Sequence, residues 1–481
     1  MSVGKTSRML DLTERQTKWD VDHGFVLPDL TAAIAGSRIE RATIDTVSAY
    51  YDTSDADLQA HNIVLRRRDS AEDSGWLLKL PDGEAPELRW PLSDLPPAEA
   101  VALLTGVTGG SHIHNIGTIH TVRNRLSINS PGSGDLIAEI AEDDVRASNG
   151  DRLLAWREVG VGIGPAAERH TKQLERLLKK AGAKPSRYSS KLAHLSGATP
   201  EAPEVSPAVD AVASYLRAQI DAVLAGDIAL RRGQDPIHQT RVALRRLRST
   251  LRVFAPVLRP GAVGDLDDGL KWYAGLLGEV RDCQVQQQRI SKALDELPDE
   301  LILGPVRARL RSHLQAIELP ARQEVGAALN SPRYLGLIAE LRSWRADPPV
   351  RSDLAEKDLR TWARRAARQA DRKLAAVLDT QGVHRAERLH GVRKAAKRAR
   401  YAAELHNALT GTGSGSRIIQ RYQEIQTVLG DHQDTVVARE MLRRMGATAG
   451  TTEGENGFTF GLLHAREQHL AEQSGQAVAQ L

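Results

Sequence analysis

Residues 236–254, PIHQTRVALRRLRSTLRVF, and residues 388–405, RLHGVRKAAKRARYAAEL, carry one pattern twice. In the first, His238 is followed by Arg241, Arg245, Arg246 and Arg248. In the second, His390 is followed by Arg393, Lys397, Arg398 and Arg400, at the same offsets of 3, 7, 8 and 10, with Lys394 beside them. Downstream, LGEVRD at 277–282 is echoed by LGDHQD at 429–434, and each copy places its final aspartate 44 residues after its histidine. The copies lie 152 residues apart, which is the mark of a duplicated structural unit. Apolar residues at i, i+3 and i+4 predict amphipathic helices over 237–256 and 384–408, and likewise over 207–230 and 353–378.

On an α-helix, offsets 0, 3, 7 and 10 fall within an arc of about 80°. Each copy therefore lines up a histidine and three cations along one face. Like charges one turn apart repel by a few tenths of a kcal/mol per pair when exposed, and the row is expected to stand with no acid one turn away to relieve it. A solvated face is the plain reading of one such helix. The same face repeated at fixed spacing points instead to an anion that neutralises it. His238 and His390 have no Ser, Cys or metal-type partner nearby in sequence, so their expected role is to contact the anion or orient an arginine. Asp282 and Asp434 are expected to pair with arginines of the row, plain surface acids being the alternative.

A chain of 481 residues with 41% hydrophobic and 26% charged content has room for two or three soluble domains. The single cysteine, Cys283, excludes an internal disulfide framework and a cysteine-based metal cluster. No early apolar run with a cleavage site and no apolar stretch of about 18 residues is present, so neither a signal peptide nor a membrane span is expected, and a cytoplasmic location is the default. The net charge of +4 hides a division. Residues 1–205 hold 24 Lys and Arg against 29 Asp and Glu; residues 206–481 hold 41 against 32, and 35 of those 41 are arginine. Arginine's planar fork matches phosphate oxygens two at a time. Aromatic content of 4% and the lack of a recognised nucleic-acid motif count against sequence-specific or stacking recognition of nucleic acid.

The Pro- and Ala-rich stretch at 198–206 reads as a linker. Before it, short alternating runs such as TIDTVSAYYDT, NIVLRRRD, GWLLKLP, TVRNRLSI, DLIAEIAEDDV and LLAWREVGVGIG predict antiparallel strands, with a helix near 170–182. Charges at i and i+2 share a strand face: Glu14, Gln16 and Lys18; Arg66 and Arg68; Arg123 and Arg125. Lys79, Glu139 and Lys191 add to them. Pointing inward, they would line a wet interior that calls for a charged ligand; pointing outward, they would be solvated. Alternation alone leaves both open. The fold class expected is α+β: an antiparallel β tunnel or barrel, then an all-α duplicated pair of four-helix bundles.

The segments PIHQTRVALRRLRSTLRVF, LLGEVRDCQV, RLHGVRKAAKRARYAAEL and VLGDHQDTVVA resemble the CHAD domain, the conserved-histidine α-helical domain, over about 207–475, in repeats of about 207–330 and 350–475. The resemblance implies two four-helix bundles related by pseudo-two-fold symmetry, inorganic polyphosphate as partner, and association with polyphosphate granules. Residues 8–197 resemble the CYTH domain, the tunnel fold of triphosphate enzymes. That resemblance implies phosphate contacts from Lys18, Arg66, Arg68, Lys79, Arg123, Arg125 and Lys191, and a Mg²⁺ or Mn²⁺ site drawn from Glu14, Glu139, Asp143 and Glu158. Where the CYTH pattern has further acids, this chain has Gln16, Gly160 and Gly162. Hard divalent cations take oxygen ligands, so the metal site is expected to be weakened and hydrolysis slow or absent. Two other readings stand beside polyphosphate binding: a working metal-dependent triphosphatase directed to polyphosphate, and a non-specific nucleic-acid binder.

Overall fold

The computed structural model describes residues 16–29, 38–81, 87–129, 136–150, 152–163, 171–197, 205–378, 385–410, 413–449, 451 and 454–481. The chain divides into two compact units, Met1–Pro203 and Glu204–Leu481.

The first unit is built on strands β1 (Gln16–Val21), β2 (Arg38–Asp52), β3 (Val64–Ser70), β4 (Gly75–Lys79), β5 (Glu87–Trp90), β6 (His114–Asn129), β7 (Leu136–Ser148), β8 (Leu153–Ile163) and β9 (Lys184–Pro185). Short helices α1 (Asp57–Ala60), α2 (Ala98–Leu103) and α3 (Thr105–Thr108) precede β6. Helix α4 (Thr171–Lys180) follows β8, and α5 (Lys191–Ser196) follows β9. The strands form one antiparallel sheet in the order β5-β4-β3-β2-β6-β7-β8-β1-β9. No ladder joins the end strands β5 and β9 among the described residues.

Alternation assigns the two faces opposite jobs. Trp19, Ile128, Ala138, Ile140, Val159 and Val161 are buried on one face under Leu174 and Leu178 of α4. Burying a side chain of this size contributes about 1.5–3 kcal/mol, which fixes the register, because a one-residue slip would turn the set to the other face. The neighbours in sequence of these residues, Lys18, Glu139 and Glu158 among them, are thereby set on the opposite face.

The second unit is helical: α6 (Pro207–Arg231), α7 (Ile237–Val253), α8 (Leu266–Asp295), α9 (Val306–Ala328), α10 (Pro332–Ala346), α11 (Glu356–Leu378), α12 (Arg385–Thr410), α13 (Gly413–Ala449) and α14 (Phe458–Ala479). Two starts follow local chemistry. Ser206 and Ser331 accept hydrogen bonds from Val209 N and Tyr334 N, each with a proline at the first helical position. Four helices stand on either side of α10. The two sets are fused through a common core, in which Ile290, Leu294 and Leu310 of α8 and α9 pack with Ala438, Leu442, Phe460 and Leu463 of α13 and α14. Helix α10 joins the first set through Leu337, Ile338 and Leu341. No described helix is long and apolar enough to cross a membrane.

Candidate functional site

Cross-strand partners point to the same side of a sheet, and the register brings the charges of the first unit to one face. Lys18 lies opposite Gly160, Gly160 opposite Ala141, and Ala141 opposite Arg125. Gln16 and Glu139 flank Gly162, while Glu158 and Asp143 are direct neighbours, with Arg123 beside Asp143. Across β2 the same side carries Ser48 and Tyr50, then Arg68 and Arg66, then Leu77 and Lys79. Helix α5 covers one end of this face. Its Leu192 and Leu195 pack on Tyr50, Ile119, Val145 and Ala147, and the Ser190 side chain caps its first turn. The first helical residue, Lys191, is thus delivered to the acids.

The result is a closed ionic cluster. Arg123 donates through Nε and Nη2 to the two Asp143 oxygens, both at 2.8 Å. Lys191 Nζ sits 2.6 Å from Asp143 and 2.8 Å from Glu158, and Trp156 Nε1 donates to Glu158 at 2.8 Å. Burial pushes both carboxyls up, but the hydrogen bond from Arg123 and the charge of Lys191 outweigh it at Asp143, and Lys191 outweighs it at Glu158. Both end below the usual carboxylate range. Burial would lower the Lys191 ammonium, yet Asp143 and Glu158 raise it. Lys18, beside them, is lowered by burial despite Glu158. Glu139 acts on Arg123 only through its charge.

Each oxygen of Asp143 and Glu158 already accepts from Arg123, Lys191 or Trp156. Among the described residues no group of three His, Cys, Asp or Glu side chains could hold a metal. Glu14 lies outside the described residues. Glu139, Asp143 and Glu158 as they stand do not fit a divalent cation. The other bases form a separate group. Arg125 is held by Glu72 at 3.1 Å, Arg66 lies 3.5 Å from Glu87, Arg68 lies 3.5 Å from Asp73, and Lys79 is exposed.

In the helical unit, α7 and α12 pack against each other, so the two basic rows meet. They divide by offset. At offsets 8 and 10 three of the four cations meet an acid. Arg246 and Arg400 share Glu404, at 3.0 and 2.9 Å, and both lie over the Tyr401 ring. Arg248 bonds Asp267 at 2.9 Å, and the charge of Asp267 also acts on Arg398. The expectation of a row with no acid one turn away is corrected here: Glu404 sits four residues after Arg400 and bonds an arginine of each copy.

At offsets 3 and 7 the picture reverses. Arg245 and Arg393 each keep a buried Nε–H without a hydrogen-bond partner. Arg241 donates to the Ala274 carbonyl at 3.0 Å, with Asp282 3.9 Å away. Burial, followed by the charges of Arg393, Arg245, Arg241 and Arg400, pushes the Lys397 ammonium down to about 7. His238 is lowered by burial and by Arg281, Arg245 and Arg241. His390 is lowered by burial and by Lys394, Arg393 and Lys397. Both histidines and Lys394 are exposed. Asp434 stays near Arg393 without bonding it, and burial raises its carboxyl.

Two glycines make this concentration possible. A Cβ on Gly278 would stand 2.5 Å from Arg241 Nη1, and one on Gly430 would stand 3.2 Å from Arg393 Nη2. The repeated LG motif thus leaves space for the offset-3 arginine in each copy. That role was not read from the sequence, although the motif itself was visible there. Glu72, Asp73, Glu87, Asp267 and Glu404 were also missed, since only the fold brings them to their arginines.

The family profile of the CHAD domain matches residues 214–443. Over 497 aligned residues the chain is 34% identical to an uncharacterized protein of Mycobacterium tuberculosis strain CDC 1551, covering 95% of this chain and 93% of the relative; a protein of strain H37Rv matches equally. Among solved structures, PptA from Streptomyces chartreusis is 24% identical, over 57% of this chain and 98% of its own, with a TM-score of 0.48. The CHAD domain from the plant Ricinus communis is 26% identical, over 57% and 92%, with a TM-score of 0.44. An adenylyl cyclase-type protein of Hippeastrum with a dominant triphosphatase activity is 18% identical, over 38% and 94%, with a TM-score of 0.26.

Proposed function

We propose that this chain, which belongs to the CHAD-domain family, binds inorganic polyphosphate between α7 and α12. The observation that carries the reading is the group Arg241, Arg245, Arg393 and Lys397, in which every charge acting strongly on Lys397 is a cation. Burying like charges together is unfavourable unless a ligand supplies the opposite charge. An anion that satisfies four cations spread over two helices must present several charged groups in a row, and a chain of phosphates does so with oxygens suited to the arginine fork. His238, His390 and Lys394 extend the same surface. Arg246 and Arg400 act chiefly through the shared Glu404, holding the rows together, Arg248 is tied to Asp267, and Arg398 adds its charge to the same surface.

The charged sheet face is a second phosphate site in this reading, able to hold a triphosphate or the end of a chain through Lys18, Arg66, Arg68, Lys79, Arg123, Arg125 and Lys191. With Asp143 and Glu158 tied to bases, it grips phosphate without fast hydrolysis. A place beside polyphosphate granules in the cytoplasm follows from such a partner.

Fluorescence anisotropy of labelled long-chain polyphosphate tests the main claim. Replacing Arg241, Arg245, Arg393 and Lys397 together with alanine is expected to weaken binding by a factor of about 100 or more, since each charged contact contributes about 1.5–3 kcal/mol. Unchanged affinity overturns the site. Efficient displacement of polyphosphate by duplex DNA at physiological salt would favour the nucleic-acid reading instead.

A further inference from the structure

The turn between β3 and β4, residues 71–74, carries two acids that no phosphate site would be expected to recruit. Glu72 accepts both terminal nitrogens of Arg125, at 3.1 and 3.3 Å. Arg125 belongs to β6, which is separated from β3 by β2 in the sheet order, so Glu72 reaches back over the charged face. Asp73 accepts from Arg89 at 2.8 Å through both oxygens and lies 3.5 Å from Arg68. Glu87 of β5 bonds Arg89 at 3.2 Å and lies 3.5 Å from Arg66. A carboxylate meeting an arginine fork with two oxygens makes the same contact that a phosphate makes.

The turn is built to present these acids. Ser70 Oγ donates to the Asp73 carbonyl and accepts from Asp73 N, both at 3.0 Å. Ser74 Oγ donates to the Ser70 carbonyl at 2.8 Å. Gly75 closes the turn at φ +146°, with the Trp90 carbonyl so near that a Cβ would stand 2.5 Å from it, a place only glycine fills without strain. The backbone at Asp73 is therefore set before any ligand arrives, and the carboxylates rest on the arginines they meet. Their grip is also weak enough to yield. The Glu72 side chain is 48% exposed, and ion pairs of that kind contribute no more than about 1 kcal/mol. Arg68 keeps a buried Nε–H without a partner, so its own pairing is incomplete.

We infer that Glu72 and Asp73 are specificity-determining residues of the sheet face: they occupy its arginines as internal stand-ins for phosphate, so that only a ligand with several linked phosphates displaces them. A single phosphate that enters must face these carboxylates with one group's worth of attraction. A chain engages Lys18, Arg123 and Lys191 as well, and outcompetes the carboxylates. The inference rests on the reading of the sheet face as a phosphate-chain site.

Calorimetric titration of the full-length protein with pyrophosphate and with tripolyphosphate provides the test, comparing the natural chain with Glu72→Gln/Asp73→Asn, with Glu72→Gln alone, and with Arg66→Ala/Arg68→Ala. The amide variants keep the turn's shape, and the single one leaves Asp73 untouched. Both are expected to tighten pyrophosphate binding more than tripolyphosphate binding, narrowing the preference by roughly fivefold in the double variant. The arginine variant is expected to lose the sheet component of tripolyphosphate binding. An unchanged preference in both amide variants, with that loss present, overturns the inference and leaves the phosphate site standing. No loss in the arginine variant overturns the phosphate site and the inference with it.

Discussion

Lys397 shows what the convergence of the two rows does to one side chain. Burial and the facing Arg393, Arg245, Arg241 and Arg400 hold its ammonium at about 7, against an ordinary value of 10.5. Between about pH 7 and 10.5 the unfolded chain binds the proton and the folded chain does not, so this group makes stability rise with pH across that window. Below pH 7 both states are charged and the folded state bears the whole repulsion. A bound phosphate chain removes the cause and should restore the proton. Binding at pH 8 is therefore expected to take up as much as about one proton, measured by calorimetry in buffers of different ionisation enthalpy. Lys397→Arg, which stays charged, should lose most of the uptake. Equal uptake in the variant, or none in the natural chain, would contradict this account.

At the scale of elements, α8 and α13 are shaped around the arginines of α7 and α12. Glycine inside a helix is less favourable than alanine by about 1 kcal/mol, yet Gly278 and Gly430 stand in the middle of theirs. Gly278→Ala should hold or raise thermal stability while displacing the Arg241 guanidinium, since the obstructed group is the far end of a flexible side chain. Polyphosphate affinity is expected to fall by about tenfold, the worth of one charged hydrogen bond. Gly430→Ala, with 3.2 Å of room rather than 2.5 Å, should weaken binding less. Thermal denaturation run alongside binding separates the two effects. A fall in stability with affinity intact would mean that the glycine serves packing alone.

Over the whole molecule, each unit holds its own core and its own set of bases, but the bases are treated differently. The sheet unit pairs Arg123 and Lys191 with buried acids; the helical unit leaves its central cations short of partners. A metal-assisted phosphate hydrolase needs acids free to hold its metal, and Asp143 and Glu158 are committed elsewhere. Turnover of tripolyphosphate with Mg²⁺ or Mn²⁺ is therefore expected to stay well below about 1 s⁻¹, the lower end for ordinary enzymes. A phosphate-release assay at high protein concentration checks this, and turnover at or above that rate would restore the enzyme reading.

The two basic rows, their shared spacing and the alternation of charges along Arg66–Arg68 and Arg123–Arg125 were legible in the sequence, because the periods of helix and strand alone decide which residues share a face. What stands opposite a face is set by packing. Arg246 meets Glu404, 158 positions away, Lys191 meets Asp143, 48 positions away, and Arg125 meets Glu72 across β2. Sequence by itself determined two copies of a cationic row and a charged strand set. Tertiary structure decided which of those cations are neutralised and which remain short of charge, because only the fold brings acids from distant positions within bonding distance.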